Sequence, residues 1–447
     1  MKLKNLKFIL LIVVISSCTT VSKNSSEQSK TSFYRAPTSF KVIKNLVSDF
    51  GVDNSFATND SDKLQKAINT ISRKGGGKLF VPKGNYTFSD IEVKSNVHIV
   101  FDSEVVIRPS KRGNNKNFEI FSFGKNADVV ENVSFTSNNP NKKYTIDLTQ
   151  TDNYNAAVFV LRNIDNFLFS DVIIKDIQTK FSSFTLGITS FNNNYFYPRN
   201  GVIKNATTTN ADYGYGLVQS QAAKNVLYED LGGQGGITLR LETGAKEMNN
   251  VQIGGNHDVF GKKIECHDGN AAVMISPHAM QNGIVTIDGV TAVNCGFGVR
   301  IGGAFIAKKY KQDIGLKLGT YDPRSSVKNV TATFGKSAQV KPKHMMYIPL
   351  CYQTEKYTAT TPITNVFSNP RDTKTKESRV SVSVAAVGYF SGKGVVCVDK
   401  NGKKRKKLAT YTVQIDESTI TAIGFKDQKP LIDLTDDVLS NCTYIKN

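Results

Sequence analysis

The 447-residue sequence lacks tryptophan, has only six cysteines and is poor in acidic residues. Without tryptophan, an aromatic surface that stacks on a sugar ring must use tyrosine, phenylalanine or histidine. The cysteines form no CxxC pair, which argues against a zinc site. The sequence has 57 Lys and Arg but only 38 Asp and Glu, so the formal net charge is +19. Such a charge favours polyanionic partners: nucleic acid, an anionic membrane surface, or a sulfated or uronic-acid glycan.

The N-terminal residues narrow this choice. Lysines precede an apolar stretch, 8–15, that is too short to span a bilayer. It leads into Ile15-Ser16-Ser17-Cys18, which resembles the bacterial lipobox. We therefore expect a lipoprotein signal peptide over 1–17, lipid on Cys18 and a flexible tether over 18–38. The alternative is an ordinary secretory signal with an incidental cysteine. Either way the chain would be exported, as an outer-membrane or cell-surface lipoprotein or a secreted protein, which argues against nucleic acid.

Export also bears on the cysteines. Besides Cys18 there are five cysteines, which could be oxidised in an exported protein. Because five is an odd number, at least one would stay unpaired within the chain: Cys266, Cys295, Cys351, Cys397 and Cys442 are the candidates. The sequence does not decide which of them form disulfides.

After the apolar stretch 8–15, the sequence contains no long segment in which apolar residues recur at helical spacing. One short exception starts at Asp60-Ser61-Asp62, whose acids suit a helix N-terminus, and stops at Gly75-Gly76-Gly77. Its apolar residues recur at helical spacing: Leu64, Ala67, Ile68 and Ile71.

Short predicted strands that begin with asparagine fill most of the remaining chain. Five of them start at Asn96, Asn132, Asn225, Asn250 and Asn329. The steps from Asn200 to Asn225 and from Asn225 to Asn250 are both 25 residues, a period typical of solenoids. A leucine-rich repeat would need regular leucines and a propeller a period nearer forty, so stacked β-rungs are predicted instead.

A family resemblance supports this fold. The segments Asp49-Phe50-Gly51-Val52, Asn59-Asp60-Ser61-Asp62, 75–86 and Lys94-Ser95-Asn96-Val97 resemble the N-terminal cap of pectin-lyase-like β-helices. The resemblance implies an all-β fold, a right-handed parallel β-helix over 39–447 with an N-terminal capping helix. That fold hosts hydrolases, lyases and adhesins, so it leaves the reaction open.

Three neighbouring strands carry the candidate site. Placing Gly216–Gln219, Leu239–Glu242 and Ile275–His278 side by side puts Gln219, Glu242 and His278 in one column on the outer face. A carboxyl beside an apolar wall can keep a proton near neutral pH and give it to a glycosidic oxygen, and a histidine can tune it.

The basic residues of the same strands complete this interpretation. Arg240 and Arg300 could bind a sulfate with two parallel hydrogen bonds each. Outward Glu and His residues are nevertheless most often ordinary surface residues, and periodicity alone does not exclude that reading.

A second resemblance concerns the reaction. The spacing of Gln219, Glu242 and His278, with Glu242 inside Leu239-Arg240-Leu241-Glu242-Thr243, is similar to that of the iota-carrageenases, glycoside hydrolase family 82. The resemblance implies an inverting endo-hydrolase that cuts β-1,4 bonds of iota-carrageenan. It makes Glu242 the general acid and Gln219 and His278 active-site residues.

The same resemblance implies several further properties. A segment that covers the groove is expected near 336–378, and structural calcium or chloride can be present although no cofactor is required. We expect a monomer that binds a sulfated polysaccharide.

One position departs from the family pattern. The family's base is an Asp two residues after the acid, where this chain has Gly244. Two residues along a strand span about 6.6 Å, which suits the gap that an inverting enzyme leaves for water. The base must then come from elsewhere or be absent. Glu265 and Asp268, near the turn into the next rung, are the candidates, although both could be ordinary turn residues.

Other functions stay open. One alternative is a polysaccharide lyase that acts on a uronic-acid polymer; lyases of this fold usually gather several aspartates around calcium, and no such cluster stands out in the central rungs. A polygalacturonase would need paired aspartates, but Asp436-Asp437 lies far from the other candidates. A non-catalytic glycan-binding lipoprotein remains an alternative because of Gly244. The basic run 400–408 reads as a solvated hairpin or as a polymer-binding patch.

Overall fold

The computed structural model describes residues 33–312, 314–341, 344, 347–348, 379–392, 395–398, 404–407, 410–426, 428–436 and 441–444. The predicted signal peptide, Cys18, most of the tether and most of the predicted 336–378 insertion lie outside these residues. Among the described residues, no helix is both long and apolar enough to cross a membrane.

Two parallel sheets wind along the chain, and each successive coil adds a strand to both. Among the described residues, sheet A has fifteen strands. Its main path runs through β1 (Val42–Asn45), β2 (Gly77–Val81), β5 (Val97–Phe101), β8 (Val130–Ser137), β11 (Ile164–Lys175), β15 (Arg199–Ala211), β17 (Ala223–Gly235), β19 (Asn256–His267), β21 (Val285–Val293), β23 (Ser326–Thr333) and β29 (Gln414–Ile415). Strands that pair off this path are β3 (Gly84–Thr87), β6 (Val105–Arg108), β9 (Tyr144–Asp147) and β30 (Ile420–Ile423).

Sheet B, which carries the candidate site, has ten strands in the part of the chain that the structure describes. In chain order they are β4 (Ile91–Val93), β7 (Phe118–Phe123), β10 (Ala156–Leu161), β12 (Phe184–Leu186), β16 (Val218–Ser220), β18 (Ile237–Glu242), β20 (Ala271–Ser276), β22 (Phe297–Ile301), β26 (Ala385–Tyr389) and β31 (Leu431–Asp433). Every strand pairs with the next in parallel, so the predicted right-handed parallel β-helix is confirmed.

Smaller elements complete the described residues. The helices are α1 (Leu46–Phe50), α2 (Ser61–Arg73) and α3 (Lys246–Val251), with single 3₁₀ turns at Glu417–Thr419 and Leu434–Asp436. Antiparallel pairs are β13 (Thr189–Phe191) with β14 (Asn194–Phe196), β24 (Ala338–Val340) with β25 (Arg379–Ser381), and β27 (Val395–Val398) with β28 (Lys404–Lys407) and β32 (Asn441–Tyr444). The described residues of the basic run, Lys404–Lys407, thus form a strand that pairs antiparallel with β27, in agreement with the predicted hairpin.

Asparagines mark one bend of the coil because they tolerate left-handed backbone and bond to one another. Asn96, Asn132, Asn166, Asn200 and Asn225 all have positive φ. The side-chain amide of Asn132 donates to Asn96 (2.9 Å), that of Asn166 to Asn132 (2.8 Å) and that of Asn225 to Asn200 (2.8 Å). The repeated asparagine is thus a ladder at one bend, which explains why it recurs at the start of the predicted strands.

The proposed repeat start at Asn250 is wrong. Asn250 lies in α3, and the strand that follows pairs Val226 with Val259, so Asp258 occupies the ladder position. Asn329 has positive φ but belongs to a second bend, beside Gly289 on the preceding strand. The 25-residue period therefore holds for one coil and is lengthened by α3 in the next.

Aromatic and aliphatic side chains fill the interior between the sheets. Phe121, Phe159 and Phe184 stack on adjacent strands of sheet B, with ring centroids 5.4 and 4.6 Å apart. The predicted helix is confirmed as α2, and Leu64, Ala67, Ile68 and Ile71 are its buried face. That α2 caps the coil stays a prediction.

Candidate active site

Glu242 ends strand β18, on the outer face of sheet B. Leu239 and Leu241 of the same strand point into the coil and are fully buried, so alternation turns Arg240 and Glu242 outward. The Glu242 side chain is only 13% exposed, so the carboxyl is shielded from solvent although it lies on the outer face.

Two neighbours hold the carboxylate of Glu242. One oxygen, Oε2, forms an ion pair with the guanidinium of Arg240, and the other, Oε1, lies 2.9 Å from Nε2 of His278. Arg240 also donates to the carbonyl of Gly214 and lies over the ring of Tyr215, 5.8 Å from its centroid. The carboxylate is therefore fixed in place by groups that favour its charged form.

Burial by itself would raise the pKa of Glu242. The charge of Arg240, the hydrogen bond with His278 and the nearby charge of Arg300 outweigh it and hold the pKa well below the usual range of a glutamic acid. The expectation that Glu242 keeps a proton near neutral pH is therefore wrong for the free protein, because the apolar wall is outweighed by two arginines.

A turn, rather than strand register, brings His278 to Glu242. His278 follows the end of β20 and has a φ of 50°, a strained value for histidine that folds its ring back over the sheet. The ring packs against Phe305 (centroids 4.3 Å apart), and its Nδ1 lies 2.7 Å from the hydroxyl of Tyr310. Both contacts come from the long loop between β22 and β23.

The predicted single column of Gln219, Glu242 and His278 does not form. Gln219 is level with Arg240, and Glu242 is level with Ser276, so each alignment was shifted by two residues. A shift of two keeps every side chain on its predicted face, because alternation has a period of two. Gln219 consequently neighbours Arg240, whereas Glu242 and His278 still meet.

Arg300 lies in the column that contains Gln219 and Arg240. Sheet register continues this column through Met274 to Arg300. Arg300 is 9% exposed, and its guanidinium donates to the Tyr213 hydroxyl (3.3 Å) and the Met274 sulfur (2.7 Å). Two cationic groups thus flank Glu242, as a site for an anionic polymer requires, although their hydrogen-bonding edges are partly occupied in the free protein.

Gly244 lies directly against the catalytic candidates. Its carbonyl accepts hydrogen bonds from Nζ of Lys309 (2.8 Å) and the hydroxyl of Tyr310 (3.2 Å). A Cβ atom at this position would lie 3.0 Å from both Cε1 and Nε2 of His278. A side chain here would therefore require the imidazole to move by a few tenths of an ångström.

The structure does not bring Glu265 or Asp268 to Glu242. Glu265 belongs to β19 of sheet A, is about half exposed and pairs with His267 (2.6 Å). Asp268 precedes β20 and accepts from Asn294 (3.2 Å) and Ser337 (2.5 Å). Glu242 is level with the far end of β20, so that strand's length, roughly 17 Å, separates it from Asp268.

Sequence reasoning missed Lys309 and Tyr310, which complete the surroundings of His278. They lie in a loop without strand periodicity, and the only available signal was an aromatic next to lysines (Lys308-Lys309-Tyr310) soon after the strand of Arg300. Within the described residues, no three His, Cys, Asp or Glu side chains converge in a way that could hold a metal ion.

Comparison with known proteins places this geometry in a family. No family model matches the chain. An iota-carrageenase of Alteromonas macleodii is 39% identical over 299 residues, which are 64% of this chain and 60% of that protein, so the chain spans less than two thirds of this curated relative.

Two solved structures match over nearly their whole length. The iota-carrageenase of family GH82 from A. fortis is 31% identical, with a TM-score of 0.78 over 90% of this chain and 92% of that one. An iota-carrageenase complexed to iota-carrageenan fragments is 30% identical, with a TM-score of 0.77 over 90% and 93%. With an identity of this size along a shared β-helix, the chain belongs to the iota-carrageenases of glycoside hydrolase family 82.

Proposed function

We propose that this protein is an endo-acting glycoside hydrolase that cleaves β-1,4 bonds of iota-carrageenan, with Glu242 donating the proton to the leaving oxygen. The observation that carries the proposal is the shielded carboxyl of Glu242, held between Arg240 and His278 on the outer face of a family 82 β-helix.

The charge around Glu242 fits a sulfated substrate. Arg240 and Arg300 are the cations that lower the pKa of Glu242 in the free protein, together with His278. A sulfate that draws Arg240 into a bidentate contact would weaken its ion pair with Glu242. The carboxyl would then regain affinity for a proton, so that substrate binding itself prepares the general acid.

Inversion requires a second group that activates a water on the opposite face of the sugar. Gly244 supplies no side chain, and neither Glu265 nor Asp268 lies beside Glu242. We leave the base unassigned and propose inversion from the family resemblance alone. Proton NMR of the first products tests it: inversion of a β-bond yields α reducing ends first, whereas retention yields β ends.

A glycan-binding protein without turnover is the second candidate. It is favoured by Gly244, because the position where the family has its base carries no carboxyl. Both candidates predict binding to iota-carrageenan that weakens as salt rises, but only the hydrolase releases new reducing ends.

The remaining expectations are proposals from the sequence. We propose that the chain is exported, anchored to the outer membrane through lipid on Cys18, and monomeric. No cofactor is proposed for the reaction, and the calcium or chloride implied by the family resemblance stays a prediction without an assigned site.

A further inference from the structure

The hydroxyl of Tyr310 lies between two acceptors beside the proposed acid. It is 2.7 Å from Nδ1 of His278 and 3.2 Å from the carbonyl oxygen of Gly244. The side chain is 3% exposed, so water does not readily replace either contact. A continuous line of hydrogen bonds therefore runs from Gly244 through Tyr310 and His278 to Glu242, the proposed proton donor.

The hydroxyl of Tyr310 has one proton, so it can donate to only one of its two neighbours, His278 or the Gly244 carbonyl, at a time. When Glu242 is ionised and His278 is neutral, the carboxylate can only accept, so Nε2 carries the imidazole proton and donates to it. Nδ1 is then a bare acceptor, and Tyr310 donates its proton to Nδ1.

Adding one proton to this arrangement reverses the direction of the line. The proton makes Nδ1 a donor, and the second imidazole proton is shared between Nε2 and the carboxylate of Glu242. Tyr310 can no longer donate to Nδ1, so its hydroxyl turns to the carbonyl of Gly244 while its oxygen accepts from Nδ1. The carbonyl has two lone pairs, so it can accept from Tyr310 while it accepts from Lys309 (2.8 Å).

We propose that Tyr310 is a positioning residue of the acid site, whose hydroxyl turns between His278 and the Gly244 carbonyl as the Glu242–His278 pair gains or loses one proton. The inference rests on the proposed function only where it identifies that proton with the one donated to the substrate. It also gives Gly244 a role through its backbone.

Other charged and titratable groups face the pair and set its background. They are Arg240, Arg300 and Lys309, whereas Tyr321, whose pKa is raised mainly by burial, lies in the apolar interior. The three cations oppose proton uptake, whereas an oxygen that accepts from a charged imidazole favours it. Because a hydrogen bond to a charged group is roughly twice as strong as a neutral one, losing the Tyr310 hydroxyl disfavours the protonated pair more than the unprotonated one.

The test compares Tyr310→Phe with Tyr321→Phe. Tyr321 is also buried and donates to a backbone carbonyl next to the acid, that of Leu241 (2.8 Å), but it belongs to the apolar interior of the coil rather than to the hydrogen bonds of His278. The two variants therefore remove similar buried hydroxyls, and only one of them belongs to the line.

For Tyr310→Phe we expect kcat to fall about tenfold with KM within about twofold, and the alkaline limb of the pH–rate profile to move down by roughly half to one pH unit. Tyr321→Phe should keep the wild-type limb, whatever its stability. A Tyr310→Phe profile with the wild-type limb, or an equal shift in both variants, overturns the proposal.

Nitrogen-15 NMR of the imidazoles tests the same inference without turnover. The His278 signals among five histidines can be assigned by their loss in His278→Gln. In wild type, neutral His278 should carry its proton on Nε2, and the signal of the bare Nδ1 should change in Tyr310→Phe because Nδ1 loses its hydrogen-bond partner. A proton on Nδ1 of neutral His278 would refute the line as drawn. If wild type fails to hydrolyse iota-carrageenan while these NMR results hold, the proposed function fails and the positioning role stands.

Discussion

Replacing Glu242 with Gln tests both the proposed catalytic role of the carboxyl and its contribution to stability. Glutamine keeps the size of the side chain and one oxygen that accepts from His278, but it cannot donate a proton to a glycosidic oxygen. General acid catalysis contributes roughly 10²- to 10⁴-fold, so hydrolysis of iota-carrageenan should fall at least about a hundredfold.

The same change also removes a shielded negative charge. Arg240 and Glu242 are 17% and 13% exposed, and Arg300 is 9% exposed nearby. Leaving these arginines without the carboxylate should lower the free energy of unfolding at neutral pH by about 3 kcal/mol, the lower end for breaking a buried ion pair.

The pH dependence of that stability loss has a definite sign. The pKa of Glu242 is lowered in the folded protein, so its stabilising effect is present above the unfolded-state pKa of about 4.3 and is lost as pH falls below it. The stability difference between wild type and Glu242→Gln should therefore be largest near pH 7 and shrink below about pH 4. Urea unfolding at several pH values measures it.

Glu119→Gln is the matched control. Glu119 pairs with Arg162, and the two side chains are 29% and 23% exposed. Glu119 lies on β7, several strands of sheet B away from β20 and His278. This variant should lose about 1 kcal/mol at most and keep wild-type turnover. Near-normal turnover in Glu242→Gln, or a Glu242→Gln protein that is more stable than wild type at pH 7, would refute the reasoning.

Three further predictions concern other parts of the structure. Burial raises the pKa of Asp176 to about 6, so its charge opposes folding increasingly as pH rises from about 4 to 6; Asp176→Asn should therefore stabilise the protein by roughly 1–3 kcal/mol at pH 8 and not at pH 3, as urea unfolding would show. Gly244→Ala should lower turnover because its Cβ crowds His278. If a carboxyl two residues after the acid can serve as base, the turnover of Gly244→Asp should be higher than that of Gly244→Ala, and equal turnover of the two variants would exclude that role. The buried sulfurs of Cys266 and Cys295 are 3.0 Å apart, so oxidised glutathione should link them and raise Tm, and a peptide map that finds both thiols free after oxidation would contradict this.

The fold could be predicted because its signals repeat. Asparagines such as Asn132 and Asn166 recur where the coil bends, and their positive φ and mutual hydrogen bonds explain the repetition. Asn250 failed because α3 interrupts the repeat, and an asparagine in a helix looks no different in sequence from one at a bend. The repeat of apolar residues and asparagines carries no signal of such an interruption.

The faces of the site were predictable, but its register was not. Alternation placed Arg240 and Glu242 outside regardless of how the strands were aligned, and the two-residue shift left those faces unchanged. Alignment depends on turn lengths between rungs, which apolar patterns do not specify.

The electrostatic state of Glu242 and the role of Tyr310 could not be predicted. The first depends on whether burial or Arg240 has the larger effect on the pKa, which is a matter of distances. The second depends on a loop that folds back over sheet B to reach His278, and only tertiary structure defines that contact.

Release of new reducing ends from iota-carrageenan is the most direct test of the central claim. Wild type and Glu242→Gln would be incubated separately with iota-, kappa- and lambda-carrageenan at low salt. We predict rapid release by wild type from iota-carrageenan, little from the other two polymers, and at least about a hundredfold less from the variant. Salt-sensitive binding of wild type to iota-carrageenan without any new reducing ends would contradict the account and identify a glycan-binding protein instead.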